Sequence, residues 1–146
     1  MANIEIPNNI ISINRGAFGV NSSLTSIVIP GSVEYIGSSA FYYCTNLYKV
    51  EVCEGLKTIC QYAFSSCSKL AEVILQKGVE IIEDYAFKGC KNLNFLRTYS
   101  EEPPRISSNS FYDTPYTKRL EVKKGCVDKY KLKWSEGGFY NIVEFE

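Results

Sequence analysis

Histidine is missing from this 146-residue chain. Its absence removes Ser-His and Cys-His nucleophile pairs, together with a common zinc ligand. Aspartate is scarce, at Asp84, Asp113 and Asp128, and no Gly-rich phosphate loop occurs. The adjacent acids Glu101 and Glu102 read as a solvated turn. Catalysis, a metal site and a bound cofactor are therefore not expected. Long apolar runs are also lacking: none approaches the ~18 residues needed to cross a bilayer, so no membrane span is expected. No signal-peptide pattern opens the chain, which begins Met-Ala-Asn. Nor is there an excess of one charge sign, since 16 Lys and Arg balance 16 Asp and Glu. Whole-molecule steering toward nucleic acid is not expected. A basic stretch from Lys118 to Lys133 is interrupted by Glu121 and Asp128 and reads as solvated surface.

What is present is a rhythm. Phe18, Phe41, Phe64 and Phe87 are 23 residues apart, each preceded by Ala and followed six residues later by Leu. Ile27, Val50, Val73 and Leu96 keep the same phase, as do Ile29, Val52 and Leu75, until Thr98 breaks that column. Val33, Leu56 and Val79 reach back to Ile10, and Ile36, Ile59 and Ile82 reach back to Ile13. Self-similarity at this period marks stacked repeats. LTSIVI (24–29), LYKVEV (47–52) and LAEVIL (70–75) alternate with period two, which predicts strands buried on one face. VEYIG, LKTIC and VEIIE predict a second, shorter extended segment. The Ala-Phe-x-x-Cys stretches are too short for a stable isolated helix and predict a single helical or 3₁₀ turn. Each unit then makes one coil of a right-handed solenoid. Its phenylalanines are expected to form a continuous spine at the ~4.8 Å strand spacing.

Cysteine follows the rhythm as well. Cys44, Cys67 and Cys90 share one column, with Asn21 in the first slot. Cys53, Cys60 and Cys67 are seven apart, and no Cys-x-x-Cys pair occurs. Small buried residues lining a turn, with free thiols, are expected. Down the outward columns Glu34, Lys57 and Glu80 alternate in sign, and Lys49 lies above Glu72, which favours this register.

Repeats reading VEYIGSSAFYYCTNLYKVEV and VEIIEDYAFKGCKNLNFL resemble the BspA-type leucine-rich repeats, the Treponema pallidum class. Gly37 and Pro30 match that pattern, whereas Cys60 and Glu83 replace the Gly, and Cys53 and Gln76 replace the Pro. The resemblance predicts a leucine-rich repeat solenoid over residues 1–98, about four coils with the first partial. Residues 99–146 then form a degenerate last repeat and a C-terminal cap. Ile106 and Phe111 sit one residue late, with Ser110 in place of Ala and Pro103-Pro104 before them. RLEVKKG reads as a further strand and turn. The tail resembles the terminal module of Bacteroides-type members through Leu120, Val122, Gly125, Tyr130, Trp134, Phe139, Ile142 and Val143. Lys123 stands where those members usually have Pro. Trp134 and Phe139 are expected to plug the end of the core, with ligand stacking as the other role for Trp134. At the opposite end the chain enters at an IEIP strand without a preceding cap, as a piece of a longer solenoid would.

Outward strand positions form the candidate partner-binding face. Ser26, Lys49, Glu72 and Phe95 make one column, and Val28, Glu51, Ile74 and Arg97 make the next. Phe95, Arg97 and Tyr99 together have a hot-spot composition, unless Phe95 packs on the cap. Tyr42-Tyr43 is a second exposed aromatic candidate. Members of the resembled family are typically surface or secreted bacterial proteins that bind host or extracellular proteins, as adhesins do. The resemblance thus implies a non-catalytic protein-binding module, at the cell surface or secreted. The alternatives are a spacer that displays another domain, or a glycan-binding module using Trp134 and the tail tyrosines.

Overall fold

In a computed structural model that describes residues 4–145, the repeats stack as a solenoid. Short strands β1 (Ser12–Ile13), β3 (Tyr35–Ile36), β5 (Thr58–Ile59) and β7 (Ile81–Ile82) form one four-stranded sheet. The longer strands are β2 (Ser26–Ile29), β4 (Lys49–Val52), β6 (Glu72–Leu75), β8 (Phe95–Thr98), β9 (Arg119–Lys123) and β10 (Asn141–Phe145). They form a second sheet in the order β10-β9-β8-β6-β4-β2, and its pairings are parallel. Between the sheets lies one core, filled by the inward member of every alternating pair.

The register follows the period. Ile27 pairs with Val50, Val50 with Val73, and Val73 with Leu96. Phe18, Phe41, Phe64 and Phe87 stack face to face with ring centroids 5.0–5.2 Å apart. Phe111 continues the stack at 5.1 Å, its ring parallel to Phe87. Thr98, expected to break its column, stays inward and pairs with Leu75. Its hydroxyl oxygen accepts from the Ser100 N–H and lies within reach of the Tyr130 hydroxyl, so a polar side chain is tolerated in the core. The extra residue of the degenerate unit enters between Thr98 and Arg105, since Leu75 pairs 23 residues on while Ile81 bridges to Arg105.

Each Ala-Phe segment is built from i→i+3 turns, such as Ala40 N–H to Gly37 O and Tyr42 N–H to Ser39 O. These turns also form a ladder between coils. The Phe18, Phe41 and Phe64 N–H groups donate 2.7 Å bonds to Ala40, Ala63 and Ala86 of the next coil. The path requires left-handed residues on both sides of the Phe. Ser39, Tyr62 and Tyr85 precede it, and Val20, Tyr43, Ser66 and Asp113 follow it, all at φ between 58° and 62°. Non-glycine residues there cost of order 1 kcal/mol each, and the ladder offsets that cost. The same turns place the thiols: Cys44, Cys67 and Cys90 each donate at 3.1 Å to a Phe carbonyl of the preceding coil. All six cysteines are free. Burial raises the Cys90 pKa, and the Cys44 contact together with burial raises that of Cys67.

The two ends differ. At the first coil, residues 4–7 are not a strand, contrary to the IEIP expectation. An open cavity of about 600 Å³ is lined by Ile4–Ile6 and by Ser26–Val28 of β2. At the far end the tail crosses the core. A short helix α1 (Val127–Lys133), a 3₁₀ turn (Ser135–Gly137) and β10 follow β9, and the rings of Trp134 and Phe139 between them cover Phe111. Tyr130 and Trp134, four residues apart, lie on one helix face and are fully buried. On the other side Lys129 and Lys133 both pair with Glu102, and Lys123 pairs with Glu101. The acidic turn is thus the counter-charge of the basic tail. No helix among the described residues is long and apolar enough to cross a membrane.

Candidate partner-binding face

The outward columns lie where the period puts them. Ser26, Lys49 and Glu72 are consecutive partners, as are Val28, Glu51 and Ile74, across three paired strands. Val28 is half exposed, and the other five are partly exposed. Lys49 Nζ lies 3.9 Å from Glu72, and Lys57 Nζ lies 3.9 Å from Glu34, these two each just ahead of a strand of the four-stranded sheet. At these exposures such pairs contribute ~0–1 kcal/mol, enough to favour a register but not to make a site. The open face is therefore mixed: two apolar side chains, Val28 and Ile74, flank Glu51 in one column.

Toward the C-terminal end the expected hot spot has a different setting. β9 pairs with β8, so Phe95 lies beside Arg119 and Arg97 beside Glu121. The Arg97 guanidinium donates to Glu121 Oε1 through Nε at 2.9 Å and Nη2 at 2.5 Å, while Arg119 holds Oε2 at 2.8 Å. Burial pushes the Glu121 pKa up, but the two arginines outweigh it and hold the group below its ordinary value. The Arg97 guanidinium carbon is 4.5 Å from the Phe145 ring centre, and Tyr99 meets the same ring edge-on at 5.0 Å. Phe95, Arg97 and Tyr99 are therefore partly covered by the tail, and Ser26 through Ile74 form the more open section. Glu121 and Phe145 are the residues that sequence reasoning missed. The one-residue slip that moves Phe111 also brings Glu121, 24 residues on, opposite Arg97.

Among the aromatic candidates, Tyr42 and Tyr43 are exposed with ring centroids 5.7 Å apart. Trp134 is fully buried, and its indole N–H donates to Pro104 O at 2.8 Å. Ligand stacking on Trp134 is thereby excluded, because the Phe111 and Phe139 rings occupy its surroundings. Tyr130 is buried as well, its hydroxyl bonded to Ser100 O at 2.8 Å. No group of three or more His, Cys, Asp or Glu among the described residues is arranged to hold a metal ion.

No curated protein matches the sequence. A crystal structure of a leucine-rich cell surface protein from Faecalibacterium prausnitzii A2-165 shares the fold, with a TM-score of 0.54 at 21% identity. The match covers 97% of this chain and 47% of that one, so this chain spans about half the length of its structural neighbour. The model of the BspA type leucine rich repeat region matches residues 1–126 in six copies, running through the slipped unit and β9. With the phased Phe spine, the two parallel sheets and this match, the chain belongs to the BspA-type leucine-rich repeat family.

Proposed function

We propose that this chain is a non-catalytic protein-binding module displayed at, or released from, a bacterial cell surface. Its partner is held on the six-stranded sheet. The supporting observation is the register of that sheet, which lines up Ser26, Lys49 and Glu72 beside Val28, Glu51 and Ile74 on one exposed face. A rigid ladder of this kind presents apolar and charged groups at fixed ~4.8 Å intervals, and little ordering is needed on binding. Phe95, Arg97 and Tyr99 border the face where the tail begins. Family membership and the surface protein with the same fold favour an extracellular partner, in the manner of an adhesin.

A panel of purified extracellular-matrix proteins, presented by biolayer interferometry, tests the proposal. At least one should bind, and Val28→Arg with Ile74→Arg should weaken that binding about tenfold or more, the scale expected for hot-spot loss. The circular-dichroism spectrum should not change, since both side chains point outward. Capture that survives both substitutions would remove the sheet face from consideration. Failure of the whole panel would favour the spacer role.

A further inference from the structure

The cap holds a cavity of about 430 Å³ between the last coil and the tail, within the size range of small-ligand sites. Three tyrosines line it, Tyr112, Tyr116 and Tyr140, respectively 53%, 73% and 72% exposed. The rings of Tyr116 and Tyr140 are 6.0 Å apart and inclined at 48°, which leaves part of each face open. By contrast Tyr130, Trp134 and Phe139 of the cap pack inside, and buried Phe111 reaches the cavity from the core. Exposed aromatic surface gathered at one concavity marks a binding site more than a packing defect.

Beneath the cavity Lys118 keeps it in shape. Its side chain is buried, and its ammonium donates to Gly138 O at 2.7 Å and Pro115 O at 3.2 Å, 4.4 Å from the Phe139 ring centre. The bonds tie the tail turn to the last coil. Gly138 adopts φ 78°, and a Cβ there would come within 3.3 Å of the Lys118 nitrogen. The floor of the cavity is thus preformed, which lowers the ordering cost of a ligand.

The lining chemistry narrows the ligand class. Asp113 and Glu136 supply carboxylate acceptors beside the tyrosine hydroxyls, so a ligand rich in hydroxyl donors is matched. The negative ring faces attract the weakly positive C–H face of a pyranose. An anion would be repelled by the two carboxylates. A cation would meet the Lys118 ammonium behind Gly138 and a carboxylate, Asp113, already paired with Lys91 at 3.8 Å. A half-buried aromatic ladder also leads to the mouth, with Tyr62 on Tyr85 at 5.3 Å and Tyr85 against Tyr112 at 6.1 Å. A ligand longer than one ring therefore finds further surface along the coils.

We infer that the cavity framed by Tyr112, Tyr116 and Tyr140 is a binding site for a neutral saccharide, distinct from the sheet face. Isothermal titration and NMR with neutral di- to tetrasaccharides of glucose, galactose, mannose and N-acetylglucosamine test this, with choline and sialyllactose as charged controls. At least one neutral sugar should bind at millimolar concentration or below and shift the Tyr116 and Tyr140 ring resonances. Tyr116→Ala with Tyr140→Ala should weaken it about tenfold or more, with an unchanged circular-dichroism spectrum. Val28→Arg with Ile74→Arg should leave it intact, so failure of the sheet proposal and failure of this one are distinguishable. Binding of choline or sialyllactose in preference, silence across the neutral panel, or sugar binding that survives loss of both tyrosines would overturn the inference.

Discussion

Lys118 carries its ammonium into the end of the core, against two carbonyl oxygens and a ring face. Burial lowers its pKa from 10.5 to about 8. Below pH 8 the folded and unfolded chains both hold this proton, so its contribution is constant. Between pH 8 and 10.5 the unfolded chain binds more protons, and stability rises with pH, by up to ~1.4 kcal/mol per unit. Cys67, Cys90 and Tyr130 act in the opposite sense, because burial or hydrogen bonding raises their pKa values above 9.0 and 10.0. Their contribution is present below those ordinary values and is lost as the pH climbs past them. Urea midpoints should therefore increase from pH 8 to about 9 and decline at higher pH. In Lys118→Met the increase should vanish while the decline remains. A wild-type midpoint that falls steadily from pH 8 would contradict the assignment. Nothing in the local sequence distinguishes Lys118 from Lys123 or Lys124, which remain solvated to different degrees. Its burial depends on a glycine turn 20 residues away.

At the scale of the element, the spine and the turn ladder are one device. Phe64 stacks between Phe41 and Phe87 at 5.0 and 5.2 Å, and its N–H closes the ladder onto Ala86. Phe64→Ala should cost ~3–5 kcal/mol, seen as a lower urea midpoint with retained strand signal. An unchanged midpoint would mean that the stack contributes little. The strands, their inward members and the stack were legible, because a 23-residue phase and a two-residue alternation report burial directly. The turns were legible only in part. Tyr62 and Tyr85 at φ near 60° run against local preference, and contacts with the neighbouring coil, not a residue type, hold them there: the Tyr62 ring stacks on Tyr85, and the Tyr85 N–H donates to Asn109 O. Helix α1 escaped sequence reading for a related reason. Seven residues make a marginal helix alone, and the burial of Tyr130 and Trp134 supports it.

For the whole molecule, the asymmetry of the ends matters most. The tail buries Tyr130, Trp134, Phe139 and Ile142 over the last coil, at roughly 1.5–3 kcal/mol for each large side chain. A chain ending at Lys124 should expose Phe111, bind a hydrophobic dye and melt at a lower temperature than the full chain. Equal melting would show that the tail adds no stability. The same tail decides how much of the candidate face stays open, since β9 and β10 bring Glu121 and Phe145 onto Arg97.

By itself the sequence determined the coil, its period, the side chains that face inward and the order of the outward columns. Each of these follows from residue spacing along an extended chain, and burial enforces the spacing at every repeat. Tertiary structure alone decided the left-handed turns, the burial of Lys118, the pairing of Arg97 and the cavity among the cap tyrosines. These depend on where a non-repeating tail crosses the end of the stack, and on hydrogen bonds between coils that outweigh the preference of any single residue.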